Sequence, residues 1–151
     1  MTREAFSALV QEAIDRIPRR FARAIHNVAI VIEDEPSDDL LDEMEIDEDD
    51  TILGLYQGTP LTERSGYGNT LPDRITLFQG PIEDECEDDE DEIYVAIGET
   101  LIHELGHYFG MSEEDIAPHE ERWLLGEDDP DDATAESDVN DDDENPGEPR
   151  P

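Results

Sequence analysis

Between Ala5 and Ile17 the apolar residues fall three and four apart: Ala5, Phe6, Leu9, Val10, Ala13, Ile14 and Ile17. That spacing gathers them on one side of a helix, with Thr2 placed to cap its start. Pro18 ends the regular turn, and "RRFARAI" adds a short second piece. The pattern then changes period. "NVAIVIED" (27–34) is short, rich in β-branched residues and closed by charge and Pro36; Ile52 to Tyr56 is followed by a Gly-Thr-Pro turn, and "RITLFQG" (74–80) alternates Ile75 and Leu77 with polar neighbours. They predict three strands. Leu40, Leu41, Met44 and Ile46 are spaced for a weak helical turn or for anchoring a loop, and the acidic run around Cys86 is expected to be a surface loop. From Asp91 to about Gly110 the helical period returns, with Ile97, Leu101, Leu105 and Tyr108 as its buried stripe. Ser112, with Asp115 three residues on, resembles a capping box and predicts a last helix to about Leu125. These elements give an α+β domain over residues 1–125, a short sheet packed against two to four helices. Residues 126–151 are expected to be a disordered acidic tail, since they hold almost nothing apolar.

Charge adds partners to this picture. The chain carries 45 acidic residues against nine basic ones, for a formal charge of −36. Three stretches, Glu33–Asp50, Glu83–Glu92 and Glu127–Glu148, hold 33 of the acids. Such a surface repels nucleic acid phosphates and anionic lipid heads, and it attracts basic peptides, basic proteins and divalent cations. Four of the basic residues, Arg16, Arg19, Arg20 and Arg23, cluster near the end of the first helix, where they complement its dipole. Cys86 is the sole cysteine, so there is no internal disulfide framework, and its acidic neighbours disfavour the thiolate a nucleophile needs. The N-terminus lacks the uninterrupted apolar core of a signal peptide, and no run is long enough to span a membrane. A monomeric cytoplasmic protein is the default expectation.

Candidate chemistry sits in "ETLIHELGHYFGMSEED" (99–115). Residues four apart on a helix lie one turn from each other, so His103 and His107 can offer imidazole nitrogens to one ion. They point away from the Leu101 stripe, which leaves them facing a cleft. Two imidazoles and a carboxylate suit zinc, with one position left for water. Glu104 lies about 100° round the helix from His103, too far to bind the same ion but able to reach that water as a general base. Gly110 lets the chain turn sharply out of the helix, so the residues after it can fold back. Glu113 is the favoured third ligand. His119, Glu114, Asp115, Glu120 and Glu121 remain alternatives. An acid such as Glu99 is expected to hold a histidine's other ring nitrogen. Tyr56, Tyr67 and Arg64 are candidate oxyanion donors. The stretch "LGLYQG" (53–58), with Leu55 and Tyr56, is the candidate sheet edge for an extended peptide, with an interior strand as the equal alternative.

The segments "VQEAIDRIP", "ILGLYQGTPLTER", "LPDRITLFQGPI" and "HELGHYFGMSEEDI" fall in the order and spacing of a known group. Over residues 4–116 the chain resembles the small bacterial zincin-like metallopeptidases, which have a minimal zincin fold and an HExxHxxGxxE/D motif. The resemblance implies one compact domain with the motif helix lying across a short sheet, and Zn2+-dependent hydrolysis of peptide bonds. It also implies His103 and His107 as metal ligands, Glu104 as the general base, and Glu113 where the family pattern has an acid three beyond the glycine. Two other readings stand beside it: a divalent-metal-binding protein without catalysis, and an acidic interaction module on which "HELGH" is incidental.

Overall fold

The computed structural model describes residues 1–47, 50–60 and 73–127. Helix α1 (Arg3–Arg16) starts on the Thr2 hydroxyl, which accepts from the Ala5 N–H at 3.0 Å. It buries Phe6, Val10 and Ala13. Ile17 closes it with extended backbone, the conformation that a following proline favours. Helix α2 (Arg19–Ala24) follows directly from Pro18, and a single 3-10 turn over Ile25–Asn27 leads into β1 (Ala29–Glu33). Helix α3 (Asp38–Glu43) settles the ambiguous stretch as a helix: Ser37 caps it, and Asp38 and Asp39 face the positive end of its dipole.

Strands β2 (Gly54–Gln57) and β3 (Arg74–Phe78) complete a sheet of order β1-β3-β2. The central strand β3 runs parallel to β1 and antiparallel to β2. Its Ile75, Thr76, Leu77 and Phe78 are all buried, as a strand covered on both faces requires. Among the described residues β2 is an edge strand of this sheet, not an interior one.

The third strand is shorter than the sequence predicts, and the acidic run after it is not a loop. Gln79 begins α4 (Gln79–Glu85), with Pro81 in the first turn, where a missing N–H costs nothing. Ile82 and Cys86, four apart, turn into the core at 0% and 5% exposure, while the acids face outward. Pro81 and Gln79 are buried with them, and the density of acids that follows hides that signal. Glu87 and Asp88 then adopt left-handed backbone to bring the chain round to Asp89, which caps α5.

Helix α5 (Glu90–Tyr108) is the spine of the molecule, and Ile97, Leu101, Leu105 and Tyr108 are all buried as predicted. It packs on α1 and on the sheet. A second side, which includes Gly98, Ile102 and Gly106, is buried too, because α6 (Glu113–Leu125) lies on it. Ser112 and Asp115 form the predicted capping box at the start of α6. Gly126 closes α6 in a left-handed conformation, and the acidic tail beyond Glu127 lies outside the described residues. None of the described helices is long and apolar enough to cross a membrane.

Candidate metal centre

The last two turns of α5 carry His103 and His107, with ring centroids 4.7 Å apart and both rings about one-third exposed. Gly110, at φ +80°, turns the chain back immediately after the helix. The capping box then restarts it so that Glu113 is the first residue of α6. Glu113 Oε2 lies 3.5 Å from His103 Nε2 and 3.3 Å from His107 Nε2. For a tetrahedral zinc with bonds of about 2.0–2.2 Å, neighbouring ligand atoms stand roughly 3.3–3.5 Å apart. The donor set and its spacing therefore fit that ion.

The other proposed third ligands go elsewhere. His119 packs edge-on against Phe21 with centroids 5.2 Å apart. Asp115 is taken up in the capping box, and Glu114 and Glu121 are exposed. Glu120 lies at the site in a different place: its Oε2 is 3.2 Å from His103 Nδ1, the ring nitrogen that faces away from Glu113. A carboxylate there fixes the tautomer that leaves Nε2 free to bind. Sequence reasoning gave that place to Glu99 by example. The available signal was spacing, since Glu113 and Glu120 are seven apart, two helical turns, and so share one face of α6.

Glu104 lies beside the pair, its carboxylate within 4.8 Å of a ring nitrogen on each histidine. Burial pushes its carboxyl up from the ordinary range, while His103, His107 and the Tyr56 N–H oppose that rise. The Tyr56 contact follows from the sheet register. Leu53 O accepts from Phe78 N at 2.9 Å, so by antiparallel alternation Leu55 and Gln57 also bond to β3, and Gly54 and Tyr56 turn their peptide groups to the open edge. Glu104 Oε1 accepts from Tyr56 N at 2.9 Å.

The pleat gives Leu55 and Tyr56 different surroundings. The Tyr56 ring packs edge-on to Tyr108 of α5, and a Cβ built on Gly54 would meet Thr100 of α5 at 2.5 Å. Leu55, between them, therefore projects from the opposite face of the sheet. The Tyr56 hydroxyl donates to Asp73 Oδ1 at 2.8 Å, which directs it away from an oxyanion role. Tyr67 and Arg64 lie outside the described residues.

Two glycines allow α6 to come this close, and the pattern reading passed over both. A Cβ on Gly98 would stand 2.0 Å from Trp123, and one on Gly106 would stand 2.5 Å from Ile116 Cγ1. Trp123 is fixed by its indole N–H, which donates to Val95 O at 2.8 Å. Seated on these glycines, α6 delivers Glu113 and Glu120 to the histidines.

A family model described as zincin-like metallopeptidase matches residues 25–123. Comparison with curated protein sequences gave no match. Among solved structures, a conserved hypothetical protein from Thermus thermophilus is similar at 28% identity, over 72% of this chain and 94% of that one, with a TM-score of 0.48. With the family model spanning most of the folded domain and an α+β fold of the minimal zincin kind, this chain belongs to the zincin-like metallopeptidase family.

Proposed function

We propose that the protein is a zinc-dependent peptidase in which His103, His107 and Glu113 hold the metal and Glu104 is the general base. The observation that carries the reading is the convergence of Glu113 Oε2 on both histidine Nε2 atoms at 3.3–3.5 Å, with the Glu104 carboxylate beside them. When bound there, zinc supplies Lewis acidity and makes water a competent nucleophile near neutral pH. The chain's own groups handle the proton and the peptide. Glu104, with its carboxyl raised by burial, is suited to accept a proton from the attacking water and deliver it to the leaving amine. The Tyr56 N–H holds one Glu104 oxygen, which leaves the other for that exchange. Glu120 keeps His103 in one orientation.

An extended peptide finds its place along the open edge of β2, where the outward carbonyls of Gly54 and Tyr56 accept hydrogen bonds. A metal store without chemistry has no use for a buried carboxylate tied to an edge-strand amide, and this favours the hydrolase over the storage reading. The test is elemental analysis of purified protein together with digestion of a mixed peptide library by wild type and Glu104→Gln. Near-stoichiometric zinc is expected in both, with cleavage falling roughly 10²–10⁴-fold in the variant. Undiminished cleavage by Glu104→Gln, or a protein that takes up no zinc, overturns the assignment.

A further inference from the structure

A cavity of about 330 Å³ opens beside the metal centre, on the side of His103 and Glu104 towards the start of β2. Its walls are mixed in a specific way. Ile52, Leu53 and Thr100 supply an apolar flank, and Glu85, Glu99 and Glu120 supply carboxylates. Among the described residues no arginine, and no histidine other than His103, lines it. Among the described residues neither Glu85 nor Glu99 has a hydrogen-bond or ion-pair partner, and the Glu99 carboxyl is pushed above its ordinary value by burial and by the charges of Glu120 and Glu85, with His103 opposing the rise. Like charges held together in a partly desolvated wall repel each other, and a cation between them relieves that repulsion.

The volume is at the lower end for a ligand site and suits one long side chain more than a whole peptide. Because the cavity shares His103 and Glu104 with the metal centre, whatever enters it is attached close to the bond being cut. Arginine and lysine carry an apolar stem that can lie along Ile52 and Leu53 while the charged head reaches the carboxylates. Resting on the peptidase reading above, we propose that this cavity is the specificity pocket of the enzyme and admits a cationic side chain of the peptide from a position flanking the cleaved bond. Glu85 and Glu99 are its specificity-determining residues. Their effect is local, unlike the general attraction of basic molecules to the acidic surface.

The test uses the full-length Glu104→Gln protein, which holds peptide without cutting it, and fluorescence anisotropy with labelled peptides carrying a single arginine or its uncharged isostere citrulline. The arginine is moved one position at a time through the sequence. Arginine is expected to bind on the order of tenfold more tightly than citrulline at one position only, the gain associated with a charge-assisted contact. That ratio should fall towards one when Glu85→Gln and Glu99→Gln are added, and should persist when Asp38→Asn and Asp39→Asn remove charge elsewhere. Cleavage of the citrulline peptide by otherwise wild-type protein should be unchanged by Asp38→Asn and Asp39→Asn, which lie outside the cavity. An arginine preference that is the same at every position, or that survives loss of both glutamates, overturns the pocket while leaving the peptidase intact. If neither peptide binds and the wild type cuts neither, the peptidase reading fails and takes the pocket with it.

Discussion

Replacing Gly106 with alanine isolates the packing that brings α6 to the histidines. An added Cβ would stand 2.5 Å from Ile116 Cγ1 and 2.6 Å from its Cδ1, both about 1 Å or more inside ordinary carbon contact. Ile116 is 0% exposed, so its side chain has little room to rotate away. Two effects compete. Alanine is the better helix former by about 1 kcal/mol in a helix interior. Overpacking a filled core costs about 1–3 kcal/mol, and a double contact this close belongs at the upper end. The net expectation is a loss of about 2 kcal/mol, or roughly 5–10 °C in Tm for a domain of this size.

The same displacement carries Glu113, three residues before Ile116, away from ligand positions matched to a few tenths of an ångström. Zinc affinity should therefore fall at least about tenfold as well, comparable to losing a residue that orients a ligand. Thermal unfolding and zinc titration against a competing chelator measure the two effects. Ile116→Ala removes both offending atoms and leaves Ile116 Cβ at 3.7 Å, so the double variant should be about 1–2 kcal/mol more stable than the two single losses predict. A Gly106→Ala protein that melts higher than wild type and binds zinc equally well would refute the reasoning.

Glu120→Ala should lower zinc affinity by roughly 10–100-fold while leaving the far-ultraviolet circular dichroism unchanged, because it removes the carboxylate on His103 Nδ1 and no ligand. Ser112→Ala deletes the hydroxyl that accepts from Asp115 N at 3.1 Å, and should cost about 1 kcal/mol in urea unfolding. Burial first, and then the charges of Glu92, Glu85, Asp89 and Glu99, push the Cys86 thiol above its ordinary value. Native protein should therefore react slowly with a disulfide reagent at pH 8–9 and rapidly once unfolded. The folded state holds this proton more tightly than the unfolded one, so the thiol's contribution to stability is intact below the unfolded pKa and is lost as pH rises through the folded one. A native labelling rate equal to the denatured rate would contradict its burial.

Local patterns gave the helices and strands, because the information lay within a few residues: the stripe of Phe6, Val10 and Ala13, the cap at Thr2, and the Ser112–Asp115 box. The His103–His107 pair was legible for the same reason, since one helical turn fixes their relation. What stayed hidden depended on contacts between distant segments. The hydrogen bond from Tyr56 N to Glu104 joins residues 48 apart in sequence and exists only because β2 is an edge strand. The place of Glu120 required the α5–α6 crossing, which in turn depends on Gly98 and Gly106. In a helical pattern these two read as weak points, and their packing role appears only once Trp123 and Ile116 are seen on them. Helix α4 was missed because nine acids in ten residues outweighed the pair Ile82 and Cys86.

The acidity of the chain makes one distinction matter more than it would in a neutral protein. A surface carrying this much negative charge concentrates divalent cations and strengthens any site with two imidazoles and a carboxylate, so metal uptake alone is expected under the hydrolase and the storage readings alike. The two diverge at Glu104. Its carboxylate is largely removed from water beside His103 and His107, an arrangement that costs free energy, and in the proposed site His103, His107 and Glu113 already supply three ligands. The Tyr56 amide offsets part of that cost, and it does so at the sheet edge where an extended peptide would lie. A raised carboxyl beside a metal site, aimed by the strand that would receive the substrate, is the arrangement a proton carrier requires.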